Sequence, residues 1–229
     1  MAECGRVGPG CGWARVVVVV LTGSVLAGCV SVETIKKREK ESEGYYQQGL
    51  SVLETDQQRA FVSFQQAIQA KPDNYDAHYA LGSIYFLRGE YDNAEREFRT
   101  CVKLDPNNGD AFNFLGRTLL MQSRLPEAVE ALQKATILPL YANPDQAYAN
   151  LAAALDKQGD PQGAVRALQS ALKIEPPKVP RALIYFELGR MYMRLGEDGK
   201  AREAFAQAKV LDPQGTVGAE AARMMKQLR

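Results

Sequence analysis

YDAHYALGSIYFLRGEYDNAEREFRTCVKLDPNN, residues 75–108, is the stretch that decides the fold. Counting Tyr75 as position 1, small or aromatic side chains fall at Leu81, Gly82 and Tyr85, then at Gly89, Ala94, Phe98 and Cys101, with Pro106 near the end. This spacing predicts two amphipathic helices, over residues 76–88 and 92–104, joined at Gly89. Gly82 and Ala94 belong where the helices cross, because backbones approach closely only when the side chains between them are nearly absent. Leu81, Tyr85 and Phe98 then fill the seam.

The pattern recurs along the chain. Ala60, Ala94, Ala128, Ala164 and Ala201 are separated by 34, 34, 36 and 37 residues, and each is followed four residues later by Phe64, Phe98, Leu132, Leu168 or Phe205. The first-helix small residue reads Gly82, Gly116, Ala152 and Gly189, and Pro72, Pro106, Pro176 and Pro213 close four units. The spacing resembles the tetratricopeptide repeat, a helix-turn-helix unit of about 34 residues. That resemblance implies an all-α fold, a right-handed superhelix (solenoid) of about five repeats with a C-terminal capping helix. The repeats are placed near 42–74, 75–108, 109–144, 145–181 and 182–215. The cap is placed at 216–229, where Ala221, Met224, Met225 and Leu228 recur at helical spacing. The turn at residues 54–56 is one residue short, which leaves the register of the first helix open by one. Ser123 stands where the other turns carry glycine, and proline-stiffened insertions are expected at 138–144 and 176–180.

Ahead of the repeats the composition changes. Arg6 and Arg15 precede an apolar run, residues 16–27, that is too short to span a bilayer comfortably, and Leu26-Ala27-Gly28-Cys29 follows. This resembles a bacterial lipoprotein signal peptide at 1–28 ending in a lipobox. The resemblance implies cleavage before Cys29, acylation of its thiol and new N-terminus, and a membrane anchor made of several acyl chains. No aspartate follows Cys29, so the resemblance points to the outer membrane, facing the periplasm. Residues 29–44, the lipidated cysteine and a charge-dense stretch with no apolar stripe, are expected to be a solvated linker to a repeat domain over 45–229.

Loss of residues 1–28 removes Arg6, Arg15 and Glu3 from the 28 basic and 27 acidic side chains, leaving 26 of each. A near-neutral chain lacks the basic excess that nucleic-acid binding needs. Cys4 and Cys11 leave with the signal, so Cys101, at a small packing position, is the remaining unmodified thiol and no intramolecular disulfide forms. His78 is the only histidine, at a packing position of a first helix. Glu95, Glu97 and Asp92 fall on faces expected to be solvated. There is no Ser-His-Asp set, metal-ligand spacing or glycine-rich phosphate loop. No enzymatic activity, cofactor, metal or small-molecule substrate is therefore expected.

What remains is surface. Tetratricopeptide stacks line their concave face with first-helix positions 2, 5, 6, 9, 12 and 13, and carrying these over implies a partner-binding face. It comprises Tyr46, Leu50, Tyr79, Ser83, Phe86, Asn113, Arg117, Met121, Asn150, Phe186 and Arg190, with Leu87, Phe114, Leu120, Met193 and Arg194 beside them. Aromatic side chains in a groove suit an extended or helical peptide. The lysine of a chaperone-type carboxylate clamp is missing, because Tyr46 stands there. A lipobox joined to such repeats, with NFLGRTLLMQSRLPEAVEALQKAT at 113–136, a Leu140-Tyr141 insertion and then AYANLAAAL, resembles the type IV pilus assembly lipoproteins, or pilotins. That family implies a secretin subunit as protein partner and a role in secretin assembly. The alternative is a general periplasmic scaffold lipoprotein for envelope or peptidoglycan assembly proteins.

Overall fold

The computed structural model describes residues 31–138 and 141–228. The expected signal peptide, the acylation site Cys29, and Leu140 lie outside the described residues. Eleven helices and no strands form within them: α1 (Val32–Val52), α2 (Gln57–Ala70), α3 (Tyr75–Leu87), α4 (Tyr91–Leu104), α5 (Gly109–Met121), α6 (Leu125–Ile137), α7 (Pro144–Gln158), α8 (Pro161–Ala171), α9 (Arg181–Arg194), α10 (Asp198–Leu211) and α11 (Thr216–Gln227). The boundaries follow capping chemistry. Ser31, Asp56, Asn74, Asn108 and Asp160 each accept a backbone N–H of the first turn they precede, and prolines enter the first turns of α6, α7 and α8.

Consecutive helices pack as antiparallel pairs, α1 on α2 through α9 on α10, and α11 lies on α10 and α9 as a terminal cover. Across repeats, α3 packs on α5, α5 on α7 and α9 on α11, so the first helix of each pair lines the inner side of the stack. Each crossing is made as the spacing requires. A Cβ added at Gly82 would come within 2.9 Å of the Phe98 ring, and one at Gly116 or Gly189 within 2.5 Å of Leu132 or Phe205. Gly49 meets Phe64 in the same way, which settles the register left open by the short first turn. Phe64, Phe98 and Phe205 are fully buried, each contributing about 1.5–3 kcal/mol of apolar burial.

Two expectations are corrected. Residues 32–44, expected as a solvated linker, are helical and form the first half of α1. They are exposed apart from Ser42, yet rich in Glu and Lys, and side-chain pairs one turn apart (Lys37 with Glu41, Gln47 with Glu43) support a helix that needs no apolar stripe. Glu95 and Glu97 are not simply solvated: Glu95 joins Arg99 and Arg124, and Glu97 bonds the buried His78 at 2.6 Å.

The turns within the second to fifth helix pairs share one backbone rule. Gly89, Gly159 and Gly196 have φ of 76°, 90° and 74°, and Ser123 adopts the same left-handed conformation with φ of 61°. The insertion after α8 is pinned by Asp145 at the start of α7. Its fully buried carboxylate accepts the backbone N–H groups of Lys178 and Val179 at 2.6 and 2.7 Å. Before α7, Tyr141 buries its ring against Gly109, where a Cβ would come within 2.5 Å. No described helix is long and apolar enough to cross a membrane.

Candidate functional site

The inner-face residues fall into three groups. In the middle of the stack, Tyr79 on α3 packs edge-on against Phe98 and Phe114, with centroids 5.9 and 5.4 Å apart, and stacks on Tyr75 at 6.1 Å. Phe86, two turns further along α3, contacts Tyr91 and Phe114 at 5.7 and 6.2 Å. Arg117 on α5 closes the cluster, its guanidinium carbon 4.8 Å from the ring centres of both Phe86 and Phe114. Leu87 and Met121 flank it at 75% and 49% exposure. Tyr79, Phe86, Phe114 and Arg117 are all half-buried, so they present edges rather than whole side chains.

Toward the N-terminus, Tyr46 packs on Phe64 at 5.7 Å and Leu50 is exposed. Toward the C-terminus the face becomes ionic. Arg190 pairs with Glu187 at 2.9 Å, Arg194 pairs with Asp156, and Phe186 packs on Phe205 at 5.6 Å. Between α7 and α9, Asp156, Glu187 and Arg190 border a cavity of about 280 Å3 that includes Ala153, Lys157 and Met191.

Several expected contact residues are engaged internally. Asn113 is 1% exposed, and its side-chain oxygen accepts the Asn150 amide at 2.8 Å, so this pair ties α5 to α7. The Ser83 hydroxyl donates to the Tyr79 carbonyl of its own helix. Tyr79, expected as a contact residue, serves packing as much as surface through its ring's contacts with Phe98 and Phe114. The available patch is therefore Phe86, Leu87, Phe114, Arg117 and Met121.

Burial sets the electrostatics. It lowers Arg117 from the ordinary guanidinium range, with Tyr79 and Tyr141 acting in the opposite direction. It raises the phenols of Tyr79 and Tyr141, with Asp110 adding to both. Burial likewise raises Glu187 above the usual carboxylate range, opposed by Arg190. Sequence reasoning missed Asp110, Tyr141, Asp145 and Glu187 as participants. Glu187 and Phe114 occupy the same repeat position, a difference visible once the repeats are aligned.

Profiles of the tetratricopeptide repeat match residues 75–108 and 149–216. The units are tetratricopeptide repeats. Among relatives, the type IV pilus assembly protein PilF of Pseudomonas aeruginosa is 30% identical over 144 residues, a match covering 60% of this chain and 57% of that protein. The chain thus aligns with little more than half the length of this curated relative. Two solved tetratricopeptide structures share the fold. PilW, described as a widely conserved type IV pilus biogenesis factor, superposes with a TM-score of 0.69 at 23% identity, covering 81% of this chain and 86% of PilW. YrrB, described as a tetratricopeptide protein with an unusual peptide-binding site, superposes with a TM-score of 0.66 at 20% identity, covering 83% and 96%. The chain thus carries tetratricopeptide repeats and is similar to a type IV pilus assembly protein.

Proposed function

We propose that this protein is an outer-membrane lipoprotein, anchored through Cys29 and facing the periplasm, that binds a secretin subunit on its inner face and promotes secretin assembly in type IV pilus biogenesis. It acts by binding rather than by catalysis. The observation that carries the binding role is the cluster of Phe86, Phe114 and Arg117 with the exposed Leu87 and Met121 on the same two helices, an apolar and cationic patch on the inner side of the stack. Similarity to the type IV pilus assembly protein PilF supports the choice of partner. The lipobox supports the anchor.

The test uses residues whose change spares the core. In a piliated strain carrying Leu87→Glu and Met121→Glu, outer-membrane secretin multimers should fall several-fold while the level and location of the variant stay unchanged. Multimers that persist in both this variant and a full deletion would rule out the secretin role. That outcome would leave the second reading, a general periplasmic scaffold lipoprotein, which needs only the tetratricopeptide fold shared with YrrB.

A further inference from the structure

The arginines of the inner face are not equivalent. Arg190, at position 9 of the fifth repeat, is neutralised by Glu187 three residues earlier on the same helix. Arg117 holds the same position in the third repeat, but the residue three before it is Phe114. Its guanidinium rests on two rings instead, and among the described residues no carboxylate pairs with it. Asp110, two turns earlier on the same helix, forms no ion pair with it. A half-buried cation so placed has lost water without gaining an anion. The rings cover the faces of the guanidinium, and its edge carries the N–H donors that match a carboxylate.

We propose that Arg117 receives the carboxylate of an aspartate or glutamate side chain from a segment of the partner protein, with Leu87 and Met121, at the ends of α3 and α5, taking neighbouring apolar side chains. This rests on the partner-binding role of the inner face and adds the chemistry of what is bound. A side-chain carboxylate is selected over a chain terminus by position. Arg117 lies in the third of five repeats, and its helix α5 packs between the first helices α3 and α7, so a bound segment runs past it in both directions.

The full chain and its Arg117→Gln variant are each incubated with an array of short synthetic peptides, and the bound sequences are remade in two altered forms. One form replaces Asp and Glu by Asn and Gln, and the other amidates the C-terminus. Binders should carry an acidic residue flanked by apolar ones, and its replacement by the amide should weaken binding to the unaltered chain about tenfold or more. Arg117→Gln should bind the acid and amide forms alike. The proposal is overturned if the binders lack acids, if the amide form loses as much on Arg117→Gln, or if only C-terminal amidation matters. The peptide change on the unaltered chain decides the matter even if Arg117→Gln folds poorly. Peptides that bind independently of Arg117 but are lost in Leu87→Glu would leave the inner-face role standing. Indifference to both would remove it as well.

Discussion

His78 shows how one side chain can link this fold to pH. It is 8% exposed, with Nδ1 2.6 Å from Glu97 and Nε2 2.9 Å from the Pro72 carbonyl. The carbonyl can only accept, so Nε2 donates, and a carboxylate on the other nitrogen favours the doubly protonated ring. Burial alone would lower the imidazole, but the Glu97 and Pro72 bonds outweigh it and the net shift is upward. The resulting stabilisation is fully present below the ordinary histidine value of about 6.5 and is lost as pH rises through the higher folded value. Thermal melts should therefore fall as pH rises above about 6.5, and Glu97→Gln should flatten that dependence. A wild-type slope no steeper than that of Glu97→Gln would refute the link. Ser123 offers a second test at this scale. A left-handed serine costs about 1–2 kcal/mol, so Ser123→Gly should stabilise by about 0.5–1 kcal/mol after glycine's own entropy cost. The melting temperature should rise by about 1–4 °C; a fall would mean that the hydroxyl has a role the backbone does not show.

Within and between helices, the crossings were legible because they depend on residues of the same unit at fixed spacing. Gly82 and Phe98 could be paired from the period alone, and Gly82→Leu should destabilise by about 1–3 kcal/mol, visible as a lowered circular dichroism melt. An unchanged melt would place the crossing elsewhere. The first half of α1 was not legible, because its stability comes from local pairs and helix propensity rather than from an apolar stripe. The role of Asp145 was hidden for another reason. Its burial depends on the insertion after α8 folding back onto α7, a contact 33 residues away in sequence. Asp145→Ala leaves two backbone N–H groups without their acceptor and should cost about 1–3 kcal/mol or more, measured by denaturant unfolding. A loss much smaller than this would show that the insertion is held by Val179 packing instead. The inner-face set was legible as positions, but not as a division of labour. Whether Arg117 meets a ring or a carboxylate depends on its neighbour at position 6, and Asn113 turned inward because Asn150 of the next repeat reaches it.

At the scale of the molecule, an all-helical stack presents one continuous inner face, aromatic and cationic at its centre and internally neutralised toward its C-terminal end. If acyl chains hold this near-neutral protein at the outer membrane, Cys29→Ser should release it to soluble or inner-membrane fractions, and unchanged fractionation would remove the anchor from the account. A helix that begins at Val32 would then start within a few residues of the membrane and carry the repeats at a set orientation rather than on a slack tether. The central claim is that the inner face, and not the outer one, holds the secretin subunit. Photo-crosslinking from single positions in living, piliated cells tests it most directly, with a photoreactive residue placed at Leu87 or Met121 on first helices, or at Val62 or Val210 on second helices, all four of them exposed. The account predicts secretin crosslinks from Leu87 and Met121 and none from Val62 and Val210; crosslinks from the second helices alone, or none from any position in cells that still assemble secretin, would contradict it.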